Sequence, residues 1–192
     1  MNRISAPLAI AFICSLCFAQ SSSNRGQKKF ACGKVITTFD KSKNETRAQL
    51  RPLILEGVFQ VAPGETLLTE GSSANDDHGV ALTVFYTYPG KTVTKPTSLI
   101  LVIESESQNA TYDRERNVSF NIDGNSLPLG LMERAAQRTN LGFIREDLSI
   151  TISVDVFMKI TNARKAKIAL GANSFTLTDC HLDALRNFAS TL

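Results

Sequence analysis

Hydrophobic and polar positions alternate with a period of two through most of this chain, which is the signature of half-buried strands. Val80, Leu82, Val84 and Tyr86 share one face of an extended run, and Thr83, Phe85 and Thr87 take the other. Val118, Phe120 and Ile122 alternate with Asn117, Ser119 and Asn121. Leu148, Ile150, Ile152 and Val154 alternate with Ser149, Thr151 and Ser153, so one face of that strand is wet. Residues 98–103 (SLILVI) are almost continuously apolar, as in a strand covered on both faces. Val35, Ile36 and Phe39 mark a first strand, and residues 41–46 (KSKNET) a charged loop after it. Residues 49–61 are rich in Leu, Val and Phe but interrupted by Pro52 and Gly57, which predicts edge strands or a bent strand rather than a helix.

Turn chemistry supports this reading. Pro89-Gly90 closes one run, and Asp123-Gly124 after Ile122 predicts a tight hairpin. Its return arm runs through Leu127, Leu129 and Leu131, with Pro128 marking a sheet edge. A second hairpin follows late, with Ala166, Ile168 and Leu170 leading to the turn Gly171-Ala172-Asn173 and back through Phe175 and Leu177. Helical spacing is confined to short segments. Asp155 is a candidate cap for a helix with Phe157, Ile160 and Ala163 on one side. Thr178 is the candidate cap of a C-terminal helix with a stripe of Leu182, Leu185, Phe188 and Ala189. Residues 131–138 (LMERAAQR) suggest a further, uncapped helix. The expectation is a strand-rich α+β fold: an antiparallel sheet or sandwich-like domain with short late helices and a C-terminal helix packed on the sheet.

The N-terminus changes where this domain is expected to work. Met1-Asn2-Arg3 gives a positive start, residues 4–18 are apolar or small, and Ala19 supplies a small residue at the cut. That order is the signature of a secretory signal peptide, and the apolar stretch falls short of the roughly twenty residues that span a bilayer. The expected organisation is a signal peptide over residues 1–19, a disordered Ser-rich leader over residues 20–29 and a single β-rich domain over residues 30–192. The protein is then exported, periplasmic or extracellular, without an integral span once the signal is removed. Cys14 and Cys17 leave with the signal, and Cys32 and Cys180 remain to form a disulfide that staples the first strand to the last helix. On the chain-entropy view so long a loop is worth at most about 5 kcal/mol. The rival is a free or redox-active thiol at Cys180, beside His181 and at a helix start.

Composition narrows the partners. With 21 basic and 18 acidic residues, the net charge of +3 generates no large field, so nucleic acid is not expected as a partner. The lysine pair at 28–29 and the basic residues Arg164, Lys165 and Lys167 read as solvated surface. The chain lacks tryptophan and has three tyrosines, a poor supply of stacking platforms. Chemistry-bearing motifs are sparse. No phosphate-binding glycine loop, nucleophile elbow or paired metal-ligand spacing occurs in residues 20–192. Asp76, Asp77 and His78 in the loop GSSANDDHG could serve as a cation site or an acid–base group, although adjacent side chains on an extended loop point apart. Acceptor sequons begin at Asn44, Asn109 and Asn117. The leading expectation is a non-enzymatic exported domain that binds or scaffolds a protein or small molecule, without a cofactor. The alternative is a hydrolase or metal-dependent enzyme built on Asp76, Asp77 and His78.

Overall fold

A computed structural model describes residues 33–62, 65–68 and 78–192. The expected signal peptide and leader, Cys32, Asp76 and Asp77 lie outside the described residues. The elements in chain order are β1 (Val35–Asp40), β2 (Glu45–Leu50), β3 (Leu53–Ala62), β4 (Glu65–Leu68), β5 (Gly79–Pro89), β6 (Ser98–Ser107) and β7 (Asn117–Ile122). They continue with β8 (Asn125–Leu131), β9 (Glu133–Arg138), β10 (Ile144–Ser153), α1 (Val154–Thr161), β11 (Ala166–Leu170), β12 (Asn173–Leu177) and α2 (Asp179–Ala189). The fold is strand-rich α+β, with antiparallel sheets and a C-terminal helix, as the alternation predicts.

The larger sheet follows the order β1-β2-β5-β6-β10-β9, with β3 running beside β5 beyond the end of β2 and β4 added to β3. β2 and β3 form one bent path interrupted at Arg51 and Pro52. Its bend continues at a register shift between Ile54 and Glu56 and at Gly57, which has φ +67°. A side chain on Gly57 would collide with the carbonyl of His78, so the close approach of β3 to the start of β5 requires glycine. The smaller sheet has the order β12-β11-β7-β8. β8 is its edge strand, and Pro128 lies in it opposite Ser119 beside a bulge. The two-residue turn of the β7–β8 hairpin has positive φ at Asp123 and Gly124, as a type I′ turn demands.

One face of the larger sheet is apolar because Leu82 and Val84 of β5 lie level with Ile103 and Leu101 of β6, and Ile103 and Leu99 pair in turn with Leu148 and Ile152 of β10. In the smaller sheet, register aligns Leu127, Phe120, Ile168 and Phe175 in one row. Both sheets and both described helices contribute to one contiguous core. Phe188 of α2 stands edge-on to Tyr86 of β5 and to Phe157 of α1, each with ring centroids 5.9 Å apart, and so joins sheet, first helix and last helix. Arg186 of α2 donates to the carbonyls of Thr161 (3.0 Å) and Ala163 (2.7 Å), closing the C-terminal end of α1.

Two local expectations are corrected. Residues 131–138 hold no helix: Glu133–Arg138 form β9, paired from Glu133–Ser149 to Arg138–Ile144 with β10. Backbone pairing with a ready sheet edge outweighs the modest helix propensity of ERAAQR, which no cap reinforces. Ser153, not Asp155, caps α1: its extended backbone ends β10, its hydroxyl accepts from the Val156 amide, and Asp155 occupies the first turn.

Truncating the aromatic junction tests this architecture. Phe188→Ala is expected to cost about 3–5 kcal/mol of unfolding free energy in urea titrations, the range for deleting a buried aromatic ring; a loss below about 1 kcal/mol contradicts the junction's role.

Candidate functional site

The face of the larger sheet opposite the core carries a cleft of about 350 Å³. Its origin lies in the register. Thr83 of β5, Val102 of β6, Ser149 of β10 and Glu133 of β9 lie in one row across four strands. Ala81, Glu104, Asp147 and Ala135 form the next row. Short side chains therefore run through the middle of the face, and longer charged ones stand around them. Arg47 of β2 and Arg145 of β10 complete the lining.

The two arginines are held differently. The Arg47 guanidinium lies 3.5 Å above the centroid of Phe85, two residues from Thr83 on the same face of β5. Partial burial holds its pKa below the usual value, opposed by the charges of Glu104 and Glu45, and it stays cationic. Among the described residues it makes no hydrogen bond or ion pair. Arg145 is clamped: it pairs with Glu104 and, 3.3 Å away, with Asp147, and its guanidinium lies 5.3 Å from the Phe59 ring centroid. Burial opposes its charge, and the two carboxylates outweigh that and raise its pKa. Burial pushes the Glu104 carboxyl up, partly offset by Arg145. Thr83 is 1 % exposed, and among the described residues its hydroxyl has no hydrogen-bond partner.

The core face of the same sheet holds a second charged group with a different job. Glu146, fully buried, accepts from Arg134 Nε (2.7 Å) and from the backbone amides of Thr111 (2.7 Å) and Tyr112 (3.2 Å). Tyr112 Oη accepts in turn from Asn173 of β12. Glu146 thereby anchors the crossover from the larger to the smaller sheet. A second hollow, about 440 Å³, lies between the β7–β8 turn and the end of α1. Asp123 borders it, but its carboxylate accepts from the Arg164 and Lys165 amides, which lower its pKa and leave it a structural brace.

Sequence-level candidates fare unevenly. His78 immediately precedes β5 as a partly buried residue whose carbonyl accepts from the Val58 amide (3.1 Å); Asp76 and Asp77 lie outside the described residues. Among the described residues no three His, Cys, Asp or Glu side chains are grouped to hold a metal ion. Cys180 lies in the first turn of α2. Cys32 is outside the described residues, but its neighbour Gly33 packs so tightly that a side chain there would collide with Ala184, one turn along α2 from Cys180. His181 belongs to the helix cap. Its Nδ1 accepts from the Thr178 amide (3.3 Å), and the Thr178 hydroxyl accepts from the His181 amide. The acceptors Asn44, Asn109 and Asn117 are all exposed. No helix of the described residues is long and apolar enough to cross a membrane.

The sequence reading placed Thr83 and Ser149 on outward faces but did not bring Arg47, Glu104, Arg145 and Asp147 together. A signal was present for Glu146: it interrupts the apolar phase of Ile144, Leu148, Ile150 and Ile152 with a charge.

Comparison with protein-family models, curated proteins and solved structures finds no match.

The His181 cap has a defined pH signature. Burial holds its pKa below the ordinary 6.5, and the pull of the Ile54 carbonyl only partly counters this. The unfolded chain therefore takes up the proton first as pH falls, so this contribution is complete above the ordinary pKa and declines below it. Stability is expected to fall between about pH 7.5 and 5, and His181→Gln, which keeps the reciprocal cap, should flatten that slope in urea titrations across the range. An unchanged slope overturns the assignment.

Proposed function

We propose that this chain is an exported, non-enzymatic binding domain whose outward cleft on the larger sheet receives a small polar ligand. The observation that carries the reading is the Thr83 hydroxyl, buried in the cleft lining with no partner among the described residues. Leaving such a group unsatisfied costs about 1–3 kcal/mol, so a molecule that bonds to it in the cleft has that much to gain. The volume lies at the lower end of the range for small-molecule sites. Charged groups around the cleft are arranged for holding rather than for chemistry: Glu104 and Asp147 are tied to Arg145.

Export rests on the signal-like order of residues 1–19, and the Cys32–Cys180 staple on the packing of Gly33 against Ala184. Secreted material should have an intact mass beginning at Gln20, with two alkylatable thiols appearing only after reduction. A retained N-terminus removes the export reading, and thiols free before reduction remove the staple.

Ligand binding is checked by amide NMR of the mature protein against four probe classes: short carboxylates, free amino acids, monosaccharides and small amines. Saturable shifts centred on Thr83, Val102 and Ser149 with at least one class are expected. Failure of every class to move those signals overturns the cleft as a binding site.

A further inference from the structure

We infer that the ligand of this cleft is a small monocarboxylate, received by the guanidinium of Arg47 with the hydroxyl of Thr83 beside it. The inference rests on the cleft reading above and adds the chemistry of its occupant. Three features lead to it.

The first is the imbalance of engagement between the two arginines. Arg145 is neutralised where it stands by Glu104 and Asp147. Arg47 has its face on Phe85 and, among the described residues, no acceptor at its rim. The ring beneath fixes the plane of the guanidinium, and the N–H groups at its edge form a fork that matches the two oxygens of a carboxylate. Glu104 and Glu45 act on Arg47 through their charges without pairing with it, and Glu104 is held by Arg145, so the guanidinium at the β2 end of the cleft keeps its N–H groups open to an anion.

The second feature is the position of Thr83. It lies two residues from Phe85 on the same strand face, so the ring that carries the guanidinium and the unpartnered hydroxyl are adjacent. A hydroxyl donor beside a fixed guanidinium suits an acceptor with more than one oxygen. An amine would find no acceptor at Arg47.

The third feature is the far end. From Thr83 the row continues over Val102 and Ser149 to Glu133, an exposed carboxylate for which the described residues supply no ion pair. A short chain with an apolar stem fits over Val102, and a second anionic group would end beside Glu104 and Asp147, two carboxylates that share the single charge of Arg145. The cleft therefore favours a monoacid over the diacid of equal length.

Hexanoate, hexanamide and adipate separate these elements, because they share a chain length and differ in their end groups. Titration calorimetry on the full mature chain is expected to show hexanoate bound at least about tenfold more tightly than hexanamide or adipate, the lower bound for a charge-assisted hydrogen-bonded pair. Arg47→Gln should abolish the advantage of hexanoate over hexanamide while the protein stays folded with its urea midpoint lowered only by the lost contact with Phe85, and Arg47→Lys should restore part of it. Thr83→Val should weaken hexanoate several-fold while leaving the ligand-free protein as stable or more so, because it removes an unsatisfied hydroxyl without changing shape. If hexanamide binds as well as hexanoate, or Arg47→Gln leaves hexanoate unaffected, the carboxylate assignment falls and the cleft reading stands. If hexanoate fails to bind, the assignment falls, and the NMR survey decides independently whether the cleft reading falls with it.

Discussion

The alternation along β5, β6 and β10 commits one face of the larger sheet to apolar contact, and the placement of the other groups follows from that commitment. Leu82, Ile103 and Leu148 lie level across three strands and meet the smaller sheet and the helices in a single core. The opposite face of those strands packs on β3 where Ala81 meets Ile54 and Phe59, and elsewhere carries Thr83, Val102, Glu104, Asp147 and Ser149. A slip of one residue in any of these pairings would turn the polar row inward and the leucines out, which is why the register is strongly specified.

Charge is distributed between the two faces according to what each can tolerate. On the buried side, Glu146 is satisfied by one arginine and backbone amides, the kind of full engagement that a carboxylate without solvent requires. Removing either partner of such a pair is expected to be far more damaging than its net contribution would suggest. Its role extends to the outer face, because Arg134, which reaches Glu146, sits between Glu133 and Ala135 on β9 and holds that strand where its neighbours border the cleft. On the outer face, Arg145 is locked by two carboxylates while Arg47 rests on an aromatic ring. The difference in their hydrogen bonding gives the cleft its polarity.

The C-terminal helix closes the other end of the design. Thr178 and His181 cap it reciprocally, and Phe188 and Arg186 bind α2 to the sheet and to α1. Each of these contacts uses a different residue type for the geometry it supplies: hydroxyl and imidazole for exposed helix amides, an aromatic ring for a three-way junction, a guanidinium for unfilled carbonyls.

Much of this fold was legible in the sequence because its information is local. Strand faces follow from period two, the β7–β8 turn from Asp123-Gly124, the bend of β2–β3 from Pro52 and Gly57, and α2 from Thr178 and its apolar stripe. Residues 131–138 were misread because a helix-compatible hexapeptide becomes a strand when β10 offers an edge, and that offer is nonlocal. The site was only half visible for the same reason. The alternation by itself determined that Thr83, Phe85 and Ser149 face away from the core. Only the tertiary structure decided that Arg47 settles on Phe85, that Glu104 and Asp147 hold Arg145, and that Glu146 receives the crossover, because contacts between strands distant in sequence depend on register and strand order, which no single segment encodes.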